Sequence, residues 1–146
     1  MPIVGFNFDN LSAIKDKEVK GENIKVRSNM EITDVSSKEI SLGEDKKQNV
    51  VKFNFEYNVY YDPQIGSVEL KGHILYSDAQ TKLKEILDSW KKNKKLDLAL
   101  KAQLINTALI RSNIKALNLS LEVNLPHHLP MPTVSPHAQK SREYIG

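Results

Sequence analysis

From residue 50 to residue 62 the chain alternates between apolar and polar side chains. Alternation with period two in β-branched and aromatic residues predicts a β-strand with one buried face. The segment DPQIG at 62–66 predicts a turn, because proline fixes φ and glycine tolerates positive φ. The alternation resumes after it, so the two segments predict a long antiparallel hairpin. Its apolar stripe comprises Val51, Phe53, Phe55, Tyr57, Val59, Tyr61, Val68, Leu70, Ile74 and Tyr76, with Gly72 in register.

Two earlier segments carry weaker forms of the same pattern. Residues 24–32 alternate between apolar and polar side chains, and a polar turn follows at 43–47, GEDKK. Phe6, Phe8 and residues 11–19 make a less regular strand. Four consecutive antiparallel strands predict a meander sheet.

The hydrophobic period changes to that of a helix after Ser77 and Asp78, whose side-chain oxygens can cap a helix start. Leu83, Ile86 and Trp90 follow at helical spacing. The run KKNKK at 91–95 predicts either a solvated last turn, where cations are favoured, or a break. The prediction is therefore one long or broken C-terminal helix. Residues 117–125 fit a strand or a helix, and Pro126 ends either one.

The helical stretch from Asp97 to about Leu121 is apolar over more than one stripe. A helix with two apolar stripes packs on two surfaces, so we expect contact with its own sheet and with another subunit. The sequence thus predicts a homo-oligomer, either a dimer or a tetramer. The candidate interface residues are Leu98, Ile105, Leu109 and Ile114.

The composition indicates one ordered domain. The chain has 146 residues, of which 40% are hydrophobic and 27% charged, and we assign residues 1–136 to an α+β domain and 137–146 to a flexible tail. The net charge of +3 permits anionic partners without requiring them. The chain has no cysteine, no basic leader and no run of about 20 apolar residues, so we expect a cytoplasmic protein without membrane insertion.

Residues 124–137, NLPHHLPMPTVSPH, contain three of the four histidines and four prolines. A zinc site needs three or four convergent ligands, whereas adjacent histidines in an extended chain point to opposite sides. We therefore predict no metal site and no cofactor. The prolines favour an extended arm, in which we expect Leu129 and Met131 to pack while His127 and His128 face solvent or cap backbone groups.

Catalytic signatures are absent from the sequence. No carboxylate lies in an apolar context, Ser67 lacks the glycine spacing of a nucleophile elbow, and phosphate-binding glycine motifs are missing. We predict a non-enzymatic protein. The alternative to protein binding is single-stranded nucleic-acid binding, which would use the lysines of 91–95 and Tyr60 as a stacking platform.

The order of four strands, a long helix and a leucine-rich exit with proline resembles the SecB family of protein-export chaperones. The residues that carry the resemblance are Ile3–Phe8 (IVGFNF), Val51–Tyr57 (VKFNFEY), the hairpin through Gly72 and Asn113–Leu119 (NIKALNL) leading to Pro126. The similarity covers about residues 3–134 as a pattern rather than as close identity.

The resemblance implies a chaperone or adaptor that binds unfolded or extended apolar polypeptides and is linked to preprotein translocation. The family is typically acidic, which helps it engage the SecA motor, whereas this chain has a pI near 9.0. We therefore expect partners other than that motor. Candidate walls of a peptide-binding groove are Phe6, Phe8, Tyr60, Tyr76, Leu129 and Met131, with ordinary core packing as the alternative for each.

Overall fold

The computed structural model describes residues 3–18, 23–134 and 136. It contains four strands and two helices in the order β1 (Ile3–Lys15), β2 (Lys25–Ser41), β3 (Lys47–Asp62), β4 (Gly66–Tyr76), α1 (Gln80–Asn93) and α2 (Leu98–Glu122). This arrangement confirms the α+β class with a broken helix after the sheet. None of the described helices is long and apolar enough to cross a membrane. The predicted tail, 137–146, lies outside the described residues.

The strands form one antiparallel sheet in the order β1-β4-β3-β2, so the predicted meander is wrong. Strands β2, β3 and β4 are joined as consecutive hairpins, but β1 pairs with β4, with Phe6 opposite Ile74. This order places β1 and β2 at the two edges of the sheet. Local alternation does not encode which strands become neighbours, because pairing depends on contacts between residues far apart in sequence.

The inner face of the sheet holds the apolar stripe and both helices. The rings of Phe6 and Phe8 lie 5.2 Å apart, and the Phe6 ring lies 5.3 Å from that of Phe55. Gly72 makes this aromatic cluster possible, because a Cβ there would meet the Phe55 ring and the backbone oxygen of Asn7. The outer face is polar and carries Arg27, Glu31, Lys52, Glu56 and Lys71.

Helix α2 packs on the sheet through a line of mostly small residues. Its buried residues recur at every fourth position and are Leu100, Leu104, Ala108, Ser112, Ala116 and Ser120. Alanine and serine bring the helix backbone close to the large aromatic residues of β3. Four residues turn a helix by more than one full turn, so a line with this spacing crosses the sheet obliquely.

The break between the helices lies within the lysine run. Lys94 adopts a left-handed conformation with φ of 56°, and its N–H donates to the carbonyl oxygen of Trp90 at 2.8 Å. Asp97 then begins α2, because its carboxylate accepts a hydrogen bond from the Leu100 N–H at 3.3 Å. Both the break and the second helix start agree with the sequence prediction.

Candidate functional site

The two flanks of α2 face different parts of the sheet. On one flank, Arg111 and Lys115 lie over the rings of Phe6 and Phe8, at 4.8 and 6.0 Å from the ring centroids. The opposite flank, formed by Ile105, Leu109 and Asn113, faces β2. A groove, called here the helix–strand groove, runs between this flank and β2.

One half of the helix–strand groove is filled by the proline-rich arm that follows α2. The Tyr61 hydroxyl donates a hydrogen bond of 2.6 Å to the carbonyl oxygen of Pro126. The Asn113 Oδ1 accepts hydrogen bonds from the Tyr57 hydroxyl at 2.6 Å and from His128 Nε2 at 2.9 Å. Residues 126–128 are thereby attached to both the sheet and α2.

The expected orientation of the arm is wrong at three positions. His128 points inward, with its ring 6.2 Å from that of Tyr57, whereas Leu129 and Met131 are 36% and 45% exposed. Tyr57 and Asn113 present polar atoms that an imidazole can use and a leucine cannot. The apolar anchor of the arm is instead Leu125, which is buried against Gly66. His127 is exposed, as predicted.

The contact with Asn113 determines which ring nitrogen carries the proton of a neutral His128. An amide oxygen only accepts hydrogen bonds, so the imidazole proton lies on Nε2. Nδ1 is buried without a partner among the described residues. Burial, with a smaller effect from His127, lowers the pKa of His128 from its ordinary value of 6.5. Protonation would place a second, unpaired N–H in this buried position.

We expect Asn113→Ala to lower the free energy of unfolding by about 1 to 3 kcal/mol, because His128 Nε2 loses its acceptor and the Tyr57 hydroxyl keeps only its contact with Ser28. Urea unfolding at neutral pH measures this loss. The matched control is Asn106→Ala on the exposed face of the same helix, which should change stability by a few tenths of a kcal/mol in the favourable direction. Equal effects of the two variants would show that Asn113 does not hold the arm.

The same contact predicts a pH dependence. Because the docked imidazole has a lowered pKa, the released chain binds the proton more readily. Docking therefore has its full stability above pH 6.5 and loses it as the pH falls below that value. His128→Gln cannot titrate, so the stability of wild type relative to this variant should fall as the solution is acidified. A constant difference would contradict the proposed contact.

The other half of the helix–strand groove is open, and we call it the corner cleft. It has a volume of about 630 Å³ and lies where β2 meets the start of α2 and the end of α1. Its apolar walls are Met30, Ile32, Trp90, Leu96, Leu98 and Ile105, and its charged residues are Glu31, Lys94, Lys95 and Lys101. Met30 lies opposite Tyr57 in the β2–β3 ladder, so it marks the boundary between the open and the filled half.

The six predicted groove residues do not form one surface. Phe6 and Phe8 lie together on the β1 side of α2, whereas Leu129 and Met131 belong to the arm. Tyr60 is on the outer face of the sheet, with the Arg27 guanidinium 4.9 Å from its ring centroid. Tyr76 is 1% exposed and is a core residue. Its burial, and then its hydrogen bond with Asp78, raise the pKa of Tyr76 to about 12.

Of the predicted interface residues, Leu98 and Ile114 face outward and are 82% and 59% exposed. Ile105 and Leu109 are half-buried on the flank that faces β2. The buried line of α2 advances in steps of four residues, so the side of the helix that faces away from the sheet changes along its length. The exposed apolar stripe consists of Ile110, Ile114 and Leu121, because Leu98 lies about a third of a turn or more away around the helix and borders the corner cleft.

His73 is separate from the two histidines of the arm. His73 lies on β4, where its Nδ1 is 2.8 Å from the Asp9 carboxylate. Within residues 3–18, 23–134 and 136, no three side chains of His, Asp or Glu cluster in a way that could hold a metal ion. His137 lies outside the described residues.

Four antiparallel strands with helices on one face form the architecture of the SecB-like chaperones. The chain is similar to a SecB-like chaperone of Mycobacterium tuberculosis, Rv1957, solved in complex with a ChAD peptide from the HigA1 antitoxin Rv1956. The TM-score is 0.53, the sequences are 11% identical, and the match covers 92% of this chain and 90% of the other. The sequence matches no protein-family model and no curated protein. The structural likeness confirms the SecB-like fold.

Proposed function

We propose that this protein is a SecB-like chaperone or adaptor that binds extended apolar segments of other polypeptides in the helix–strand groove. The observation that carries the proposal is the division of this groove. One half already holds an extended piece of polypeptide, the arm at 126–128, and the other half is open and apolar. A surface that accommodates the chain's own arm has the shape that a foreign extended segment requires.

The driving force for binding is desolvation of apolar surface, worth about 25 cal/mol per Å² buried. Met30 and Trp90 suit varied sequences, because a methionine side chain adapts its shape and an indole offers a broad apolar surface. Leu129 and Met131 extend the apolar surface along the arm. No bound nucleotide or catalytic step is needed for holding. The peptide bound to the SecB-like chaperone of M. tuberculosis supports a polypeptide client.

We further propose that the chain forms a homo-oligomer through the exposed stripe of α2 and that it works in the cytoplasm. Isolated exposed apolar residues are common on monomers, but three on one helix face, Ile110, Ile114 and Leu121, favour burial against a second copy. The absence of cysteine agrees with a reducing compartment. Coupling to a translocation motor lies outside the proposal, because the pI near 9.0 differs from the acidic character of the family.

Single-stranded nucleic-acid binding has less support. Tyr60 lies on the outer face of the sheet under Arg27, which is itself paired with Asp62 at 2.6 Å. The lysines of 91–95 end α1, which packs on the inner face. The proposed platform and the proposed cations therefore lie on opposite sides of the sheet.

The test is suppression of aggregation when a chemically denatured protein is diluted into buffer. We expect wild type at a stoichiometric amount to suppress the light scattering of the aggregating client. Leu98→Ser removes an exposed wall of the corner cleft without disturbing the core. It should raise the concentration needed for half suppression by about fivefold, which corresponds to the loss of one buried leucine contact.

The matched control is Leu42→Ser, which removes an exposed leucine from the turn between β2 and β3. This variant should suppress aggregation as wild type does. No suppression by wild type at any ratio would refute the chaperone proposal. Equal losses in the two variants would refute the assignment of the groove.

A further inference from the structure

The corner cleft has an unbalanced charge at its rim. Three lysines, Lys94, Lys95 and Lys101, line the cleft, whereas the side chain of Glu31 lies on the outer face of the sheet. Among the described residues none of these lysines forms a salt bridge, and Lys94 places its ammonium 5.3 Å from the Trp90 ring centroid. The cleft therefore combines apolar walls with an uncompensated positive rim.

Trp90 contributes its ring to the wall of the cleft. Its indole N–H is buried and has no hydrogen-bond acceptor among the described residues. A buried donor without a partner costs roughly 1 to 3 kcal/mol. Because this nitrogen is closed to solvent, the part of Trp90 that an occupant can contact is the ring surface rather than the N–H.

The free edge of β2 gives the occupant its conformation. Strand β2 ends the sheet, so alternate residues along it present unpaired backbone N–H and C=O groups on the side away from β3. Its pairing is regular from Lys25 to Ile32, and an irregularity follows between Ile32 and Asp34. An extended polypeptide can pair with this regular stretch while its alternate side chains enter the cleft beside Met30 and Ile32.

We propose that the corner cleft selects extended polypeptide segments that carry both apolar residues and Asp or Glu on the one face that enters the cleft. The apolar side chains would contact Met30, Ile32 and Leu98, and the carboxylates would pair with Lys94, Lys95 and Lys101. This inference rests on the proposed function and deepens it by naming the class of client. The lysine rim is the observation that favours acidic segments over basic ones, because the lysines would repel basic side chains bound beside them.

Trp90 is the only tryptophan of the chain, so its fluorescence reports occupancy of this cleft. The probes are two tryptophan-free peptides of about ten residues with serine at every second position, which faces away from the cleft, and the same leucine and valine residues on the other face. One carries Glu and the other Lys at two positions among those leucine and valine residues, and each bears a terminal dye for anisotropy. We expect the Glu peptide to bind about tenfold more tightly at low salt and to shift the Trp90 emission. The preference should shrink at high salt.

Lys94→Glu/Lys101→Glu should reverse the preference, so that the Lys peptide binds more tightly. The control Lys38→Glu/Lys46→Glu makes the same change in net charge at exposed positions outside the cleft and should keep the wild-type preference. Circular dichroism checks that all variants remain folded.

Each failure has a distinct meaning. Equal binding of both peptides, with suppression of aggregation intact, overturns the acidic preference and leaves the proposed function standing. Anisotropy that rises without a change in Trp90 emission places the binding site elsewhere and also overturns it. Peptides that bind only by dissociating an oligomer would show a second copy of the chain to be the occupant. Absence of both peptide binding and aggregation suppression refutes the proposed function as well.

Discussion

Leu104→Ala is expected to lower the free energy of unfolding by about 3 to 4 kcal/mol. Leu104 is fully buried in the core cluster that joins α2 to Phe53 and Ile74. Truncation removes its transfer free energy and leaves a cavity that the rigid sheet and helix cannot close. Urea unfolding followed by circular dichroism measures the loss.

Ile110→Ala is the matched control, because Ile110 lies on the opposite face of the same helix and is 65% exposed. In the dissociated chain it should change stability by less than about 0.5 kcal/mol. Unfolding curves at several protein concentrations separate the stability of the single chain from the contribution of association. Only the removal of an interface contact gives a loss of stability that depends on protein concentration. Comparable losses at low concentration would show that the two faces of α2 are wrongly assigned.

The local pattern of apolar and polar residues was sufficient to predict the elements of the fold. Alternation with period two gave the positions of β3 and β4, and the change to helical spacing after Asp78 gave the position of α1. The ambiguous segment at 117–125 is helical as far as Glu122, and its leucines alternate because the helix carries apolar residues on more than one side. Local pattern did not predict the neighbour of β1, because the pairing of Phe6 with Ile74 joins residues far apart in the chain.

The candidate site was less accessible to sequence analysis. Tyr76 belongs to the inward-facing apolar stripe of β4. The alternation of that strand therefore indicated a core position for Tyr76 rather than a groove wall. The inward turn of His128 depends on Asn113, which no spacing rule connects to the arm. The corner cleft takes residues from β2, α1, α2 and the break between the helices. Only the assembled structure brings these residues together.

The second large effect concerns association. Ile110→Asp/Ile114→Asp should weaken self-association by at least about 100-fold, because it removes two apolar contacts and places carboxylates in an apolar interface. Both side chains project from α2 away from the sheet, at 65% and 59% exposure, so the variant should keep the fold of the monomer. Sedimentation velocity over a range of protein concentrations measures the change.

The control Leu42→Asp/Asn49→Asp makes the same change in net charge at exposed positions distant in sequence from α2 and should leave association unaffected. Wild type that sediments as a monomer at tens of micromolar would contradict the oligomer outright. An assembly that survives the α2 variant would show that copies meet through another surface, and the free edges of β1 and β2 are the alternatives that the sheet order leaves. Peptide binding distinguishes these two edges. Association through β2 would block the corner cleft and prevent it from binding peptide, whereas association through β1 would leave the cleft open.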